Sequence, residues 1–191
     1  MAVQRALLAS ILAANRQTRF GRQHGFATIV GHEQFATQVP VSDHEALRPF
    51  IQAEIDGEAA TLTAAPVQRY LRTSGTTGQP KDVPLTAAHL SALRRLQHTA
   101  VALQYRLCPE GLAGGILAIT SPGEEGRLSN GKPFGSASGI LAGSTPAPVL
   151  AKFVLPAAVL SIADSQLKYL LILRLALARP DLSYIGSANS T

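Results

Sequence analysis

The run Thr73-Ser74-Gly75-Thr76-Thr77-Gly78-Gln79-Pro80-Lys81 limits what this chain can be more than any other stretch. Glycines let backbone N–H groups approach an anion with no Cβ in the way, the hydroxyls add donors, and the lysine puts a full positive charge at the far end. Pro80 stiffens the exit. Before the run, Val67-Gln68-Arg69-Tyr70-Leu71 alternates as a strand does; after it, Pro84-Leu85-Thr86 reads as a cap leading into a long helix. A strand, a glycine-hydroxyl loop and a helix make up phosphate-site architecture. The pattern is not a Walker A loop, which sets four residues between its glycines and follows the second with Lys-Ser/Thr. Here two residues separate Gly75 from Gly78, and Lys81 is followed by Asp82. The plainer alternative is a polar surface turn. Composition, flanks and the terminal lysine agree with one another and favour an anion site.

Charge alone points less sharply. The net charge of +5 and pI near 9.8 suggest an acidic partner, but the 17 Lys and Arg are scattered and aromatics make up only 5%. A phosphate-bearing small molecule accounts for the charge as well as a nucleic acid would, and no nucleic-acid partner is expected. With 46% hydrophobic residues and a mean hydropathy of +0.15, the 191 residues can bury a core. The single Cys108 excludes an internal disulfide framework and a cysteine-built zinc site, so a reducing, cytoplasmic location is expected.

Residues 1–20 read in two ways. Met1-Ala2-Val3-Gln4-Arg5 followed by an apolar stretch resembles a short secretory signal, and no acidic residue precedes Glu33. Helical spacing favours a docked helix instead, with Val3, Leu7 and Ile11 on one stripe widened by Leu8 and Leu12. A loop and turn then lead to a short helix over 33–38. Ser42 and Glu45 form a capping box for a helix to Ile55 that faces inward with Leu47, Ile51 and Ile55, although Pro49 argues for a start one turn later. His24, His32, His44, His89 and His98 lack metal-ligand spacing and read as surface or boundary residues; no metal site is expected from them.

Thr86 caps the helix after the loop, and Leu93, Leu96, Ala100, Leu103 and Leu107 give it an apolar face up to Cys108-Pro109; Arg94 and Arg95 point outward. Gly115-Ile116-Leu117-Ala118-Ile119-Thr120 is a buried strand, central and parallel. Residues 121–148, rich in Gly, Ser and Pro, form a long loop that is either functional or a flexible linker. Within it Lys132 is a weaker second anion contact. A helix starts at Asp164 or Ser165 and runs to about Ala178. Asp164, Lys168 and Arg174 interrupt it, so it is a buried helix and not a membrane span. Residues 182–186 form a further strand whose end opens towards ligand-contacting positions.

Residues 73–81 resemble the phosphate-binding signature of the adenylate-forming superfamily. Asn15-Arg16-Gln17-Thr18-Arg19-Phe20-Gly21-Arg22, Phe35 with Val39-Pro40-Val41, Leu47-Arg48-Pro49-Phe50-Ile51, Asp56-Gly57-Glu58, Val83-Pro84-Leu85-Thr86, residues 131–139 and residues 184–191 narrow the likeness. In that order they are similar to the N-terminal region of the auxin-responsive acyl-acid amido synthetases (the Gretchen Hagen three family). The resemblance implies an α/β fold, the N-terminal part of an adenylate-forming enzyme, with a mostly parallel sheet flanked by helices. Residues 1–65 would be a helical segment and 66–191 the α/β part.

By the same resemblance, ATP and Mg2+ activate a small carboxylic acid, pyrophosphate leaves, and the acyl group passes to an amino acid. Thr73, Ser74, Gly75, Thr76, Thr77, Gly78 and Lys81 would hold the phosphates, and Ser136, Ser138, Ser187 and Asn189 would lie on loops near the acyl substrate. No catalytic residue is assigned. The family's downstream motifs for adenine, magnesium and ribose, and its mobile C-terminal domain, have no counterpart in these residues; Tyr184 is followed by Ile-Gly-Ser without a glutamate. The chain therefore reads as a truncated ligase, inactive alone, that associates with a missing C-terminal part. The alternatives are a non-catalytic remnant or interaction module, and a subunit of a split acyl-activating ligase. Asp82 departs from the family pattern: its carboxylate either pairs with Lys81 or points to solvent.

Overall fold

The computed structural model describes residues 2–73 and 78–187. The chain begins with helices: α1 (Ala2–Asn15), α2 (Arg19–Gln23), α3 (His32–Gln38) and α4 (His44–Ile55). Thr18, fully buried, starts α2 by accepting the Gly21 N–H at 2.9 Å while its hydroxyl donates to the Asn15 carbonyl. Leu12, Phe26 and Ile29 form a small core with Leu8, Phe20, Phe35 and Val39 around it. The docked-helix reading of α1 is right, but the stripe is displaced. Leu8 and Leu12 face the core, while Val3, Leu7 and Ile11 are exposed, Val3 by 81%. Apolar residues cover so wide an arc of α1 that spacing alone could not choose which edge of it is buried.

Asp43, not Ser42, caps α4: its carboxylate accepts the Ala46 N–H at 2.9 Å, while the Ser42 hydroxyl donates to the Pro40 carbonyl. Pro49 does lie inside the helix. The carbonyl it leaves without a donor is that of Glu45, an exposed residue of the first turn where water can serve. As the periodicity predicts, Ile51 and Ile55 pack inward, with Leu47 beside them, against Val67 and the fully buried Tyr70.

The expected strand is β1 (Val67–Arg72), but the segment after the loop is not a direct entry to a helix. Asp82–Thr86 is a second strand, β2, antiparallel to β1, so the two strands form a hairpin whose arms meet at Thr73 and Lys81. Pro84 is tolerated because β2 is the edge of its sheet. Thr86 then caps α5 (Ala87–Leu107), its hydroxyl accepting the His89 N–H. A 3-10 turn, Pro109–Leu112, precedes β3 (Gly115–Ile119).

Residues 121–148 are neither a linker nor a structureless loop. They hold β4 (Gly126–Arg127), β5 (Pro133–Gly135), α6 (Ala137–Ala142) and the start of α7 (Ala147–Leu150), followed by α8 (Ala157–Leu160). β5 lies parallel to β1, with Tyr70 opposite Phe134 and Leu71 opposite Gly135, giving a mixed sheet ordered β2-β1-β5-β4. The chain continues through α9 (Ser165–Leu177) to β6 (Leu182–Ser187), which pairs in parallel with β3; Ile116 bridges to Phe153 on the other side. Leu117, Leu155, Val159 and Ile172 make the core beneath this second sheet. Overall this is the expected α/β architecture, with one mixed and one parallel sheet.

Two helices expected to be well covered are not. On α5 the packed row is Leu93, Gln97, Ala100 and Val101, whereas Leu96, Leu103 and Leu107 stand in solvent, Leu107 at 86%. On α9 only Ile172 is fully buried, and Leu170, Leu173 and Leu177 are exposed, so it is a half-covered helix and not a buried one. Among the described residues no helix is long and apolar enough to cross a membrane.

Two outcomes test this packing. A Cβ on Gly139 would run into the backbone oxygens of Pro122 and Ser121, whereas one on Gly143 would meet its nearest atom at 3.6 Å. Gly139→Ala should therefore lose about 1–3 kcal/mol in chemical denaturation and Gly143→Ala little or nothing. Second, the bare leucines of α5 and α9 should make the chain self-associate at micromolar concentration. Sedimentation velocity should show a concentration-dependent shift that Leu173→Lys with Leu177→Lys reduces; an unshifted monomer would mean these faces tolerate water.

Candidate functional site

Parallel pairing decides where the site lies. Because β1 and β5 run in the same direction with Leu71 level with Gly135, the end of β1 at Thr73 and helix α6 after β5 lie at the same edge of the sheet. The C-terminal edges of strands in α/β folds are where ligand-contacting segments gather. The segment after β3 is drawn to that edge as well. The Arg69 guanidinium donates to the Gly123 carbonyl, and Gly135 and Gly139 lie so close to Gly123, Pro122 and Ser121 that no side chain fits at either glycine.

Of the predicted phosphate contacts, Thr73, Gly78 and Lys81 are described; Ser74, Gly75, Thr76 and Thr77 lie outside the described residues. Thr73 and Lys81 close the base of the hairpin tip. The Thr73 N–H donates to the Lys81 carbonyl at 3.0 Å, and the Lys81 N–H donates to the Thr73 hydroxyl oxygen at 3.2 Å. Gly78 is exposed and Lys81 half-buried. Among the described residues no carboxylate pairs with the Lys81 ammonium.

One step below, Arg72 and Asp82 are register partners and form a bidentate ion pair, both N–H···O distances 2.8 Å. The Arg72 guanidinium also lies 3.6 Å from the centroid of the Phe134 ring. Its hydrogen bond to Asp82 holds the Arg72 pKa above the ordinary value against the opposing effect of burial, with the Asp82 and Glu125 charges adding to the rise. Neither sequence-based option for Asp82 is what the chain adopts: the carboxylate is engaged, by Arg72 and not by Lys81. His44, at the start of α4, approaches the Asp82 carbonyl at 3.3 Å through Nε2. Lys132, the second anion candidate, is also taken, since its ammonium sits 2.6 Å from Glu54 Oε1.

A cleft of about 280 Å3 opens between α5 and α6 along β3 and β6. Ile116, Val101, Leu141, Val149 and Phe153 give it an apolar body, and Gln97, Gln104, Thr120 and Tyr184 add polar groups. Of the predicted acyl-substrate residues, Ser138 and Ser187 line it. Ser136 does not: its hydroxyl caps α6 by accepting the Gly139 N–H, with Ser138 Oγ 3.1 Å away. Asn189 lies outside the described residues.

The α5 contribution was missed from sequence. Gln97, Val101 and Gln104 form an i, i+4, i+7 row, a signal hidden because the glutamines break the apolar pattern. A larger groove of about 850 Å3 runs between α1 and residues 29–35, but none of the predicted site residues lines it. No three His, Cys, Asp or Glu side chains among the described residues converge as a metal site would require.

Comparison with known proteins gives this geometry a setting. The probable indole-3-acetic acid-amido synthetase GH3.1 of Arabidopsis thaliana is 34% identical over 115 residues, covering 59% of this chain and 19% of the relative. The jasmonoyl--L-amino acid synthetase GH3.5 of Oryza sativa subsp. japonica is 27% identical over 136 residues, 62% of this chain and 23% of the relative. A solved GH3.15 acyl acid amido synthetase superposes with a TM-score of 0.75 at 25% identity, over 92% of this chain and 31% of that one. A second solved structure, AtGH3.15 acyl acid amido synthetase in complex with 2,4-DB, gives a TM-score of 0.65 at 25% identity, over 75% of this chain and 25% of that one. The chain thus spans about a fifth of these curated relatives and under a third of the solved structures. The GH3 family N-terminal domain profile matches residues 1–191 throughout, and the chain belongs to the GH3 family.

Proposed function

We propose that this chain supplies the phosphate-binding and acyl-binding part of an ATP-dependent ligase that joins a carboxylic acid to an amino acid. The observation that carries the reading is the shared edge: Lys81, without a carboxylate partner among the described residues, stands at the hairpin base, and the parallel β1–β5 pairing sets beside it the helix that lines an apolar cleft. A carboxylate is a poor electrophile. In the proposed reaction its oxygen attacks the α-phosphorus of ATP, the bond to the bridging oxygen breaks, and pyrophosphate departs with that electron pair. The amino acid's nitrogen then attacks the acyl carbon, AMP leaves with the C–O electrons, and the nitrogen loses its proton.

The role of residues 73–81 in this scheme is electrostatic: donors and the Lys81 charge stabilise the departing pyrophosphate. The cleft excludes water from the apolar body of the acid, with Ser138, Gln97 and Gln104 at hand for polar atoms. Magnesium would accompany the nucleotide, but the described residues form no ligand set for it, and no step is derived through the metal. The exposed leucines of α5 and α9 favour further polypeptide covering these faces, which suits an amido synthetase whose remaining part completes the site. An exposed, free Cys108 accords with a reducing cytoplasm.

Pyrophosphate titration by calorimetry at low salt tests the loop. Binding should be weak, roughly in the high-micromolar to millimolar range, because each charge-assisted hydrogen bond contributes about 1.5–3 kcal/mol and ordering the loop consumes part of that. Lys81→Ala should weaken it roughly tenfold, the lower bound for one such bond. In the same preparation, phenylacetate should shift the amide resonances of Val101, Leu141 and Phe153. Equal affinity in wild type and Lys81→Ala would remove the phosphate assignment; phenylacetate shifts elsewhere only would remove the cleft.

A further inference from the structure

Asp82 presents an electrostatic puzzle. A carboxylate next in sequence to the one lysine of an anion site should repel the anion, and on charge alone its removal should tighten binding. Yet both of its oxygens are spent on Arg72, in a bidentate pair with side chains only 27% and 17% exposed, and the guanidinium is pressed on Phe134. A solvated ion pair contributes little because it is screened and entropically loose. A half-buried fork against a carboxylate, with an aromatic face beneath it, is fixed in geometry and far less screened. The pair joins β1 to β2 at the last register position before the tip, one residue from the pairing of Thr73 with Lys81, and Phe134 ties it to β5.

We propose that Arg72 is a positioning residue for the anion site, with Asp82 and Phe134 as its clamp. The clamp fixes the twist of the two strands where they separate, keeps the hydrogen bonds between Thr73 and Lys81 closed, and so aims the Lys81 ammonium. Asp82 then serves the site although its charge opposes the ligand. Arg72 itself stays out of reach of the anion because its fork is filled. This rests on the reading that residues 73–81 bind phosphate.

The sign of one substitution decides it. If Asp82 only adds negative charge, or restrains an Arg72 that would otherwise ligate the anion, Asp82→Ala tightens pyrophosphate binding. If the clamp positions Lys81, Asp82→Ala weakens it, by roughly three- to tenfold, within the range of one misaligned charge-assisted hydrogen bond. Calorimetric titration of the full chain with pyrophosphate should show Asp82→Ala and Arg72→Ala weakened alike. The double variant should be no weaker than either single one, because both remove the same clamp.

The exchanged pair, Arg72→Asp with Asp82→Arg, should recover part of the affinity. Asp82→Asn, which keeps the shape of the side chain, covers the case in which the alanine variant folds poorly. Asp181→Ala breaks a comparable but exposed bidentate pair with Arg179, and should leave pyrophosphate affinity unchanged. Tighter or unaltered binding in Asp82→Ala and Asp82→Asn overturns the clamp while leaving the phosphate site intact. Wild-type protein that binds no pyrophosphate overturns both, since nothing would remain for Arg72 to position.

Discussion

The parallel register between β1 and β5 is the constraint on which the rest depends. Antiparallel neighbours can be joined by a short turn, but parallel strands require a long crossover, and here everything from β2 to β4 lies between them. That crossover contains β2, α5, a 3-10 turn, β3 and β4, all of which must fit between the ends that the pairing of Tyr70 and Leu71 with Phe134 and Gly135 sets. Around it, the segment after β3 closes in. Gly135 has no Cβ to strike the Gly123 carbonyl at 2.5 Å, and Gly139 one turn on leaves room for the backbone of Ser121 and Pro122. The Arg69 guanidinium ties the same segment to β1. Sheet register, glycine spacing and the position of the cleft are thus consequences of a single close approach.

How much of this was legible in the sequence follows from which interactions are local. The cap on Thr86, the strand over 67–71, the inward row Leu47, Ile51 and Ile55, and the buried strand at 115–119 are set by residues within a few positions of one another and were readable, although β3 sits in a two-stranded sheet and not, as expected, at the centre of one. So was the family, whose likeness lies in short ordered motifs. Most failures share a cause, partners distant in sequence. Strand β2 exists because β1 lies beside it, and Pro84 disguised it as a helix entry. Arg72 lies 10 residues before Asp82, and Glu54 lies 78 before Lys132, so neither pairing leaves a periodic trace. Ser42 and Asp43 are adjacent capping residues, and only the backbone decides which serves.

Apolar patterning misled for a related reason. It reports that a helix has something to bury, not what is present to bury it. On α5 the apolar row Leu96, Leu103 and Leu107 is real, yet within this chain the helix packs through Leu93, Gln97, Ala100 and Val101. The same holds on α1, where Leu8 and Leu12 are taken and Val3, Leu7 and Ile11 are not, and on α9, where Ile172 alone is fully covered. Apolar spacing on these helices thus exceeds what the described residues bury. The chain matches about a fifth of the length of its curated relatives.

Charge around the hairpin shows the same division between composition and arrangement. Arg72 and Lys81 lie where β1 ends, Arg69 three residues earlier on β1, and Lys132 at the opposite end of β5 from α6. Arrangement removes three of them: Arg69 is spent on the Gly123 carbonyl, Arg72 on Asp82 and Phe134, and Lys132 on Glu54. Arg69 ties β1 to the segment after β3, Arg72 ties β1 to β2, and Lys132 ties the turn before β5 to α4, so each cation serves as a fastener between elements. Lys81 is the one of the four without such a partner among the described residues. A site whose neighbouring cations were also free would attract anions more strongly but hold its strands less firmly. With the others engaged, the attraction for phosphate in the proposed site would fall on one ammonium group.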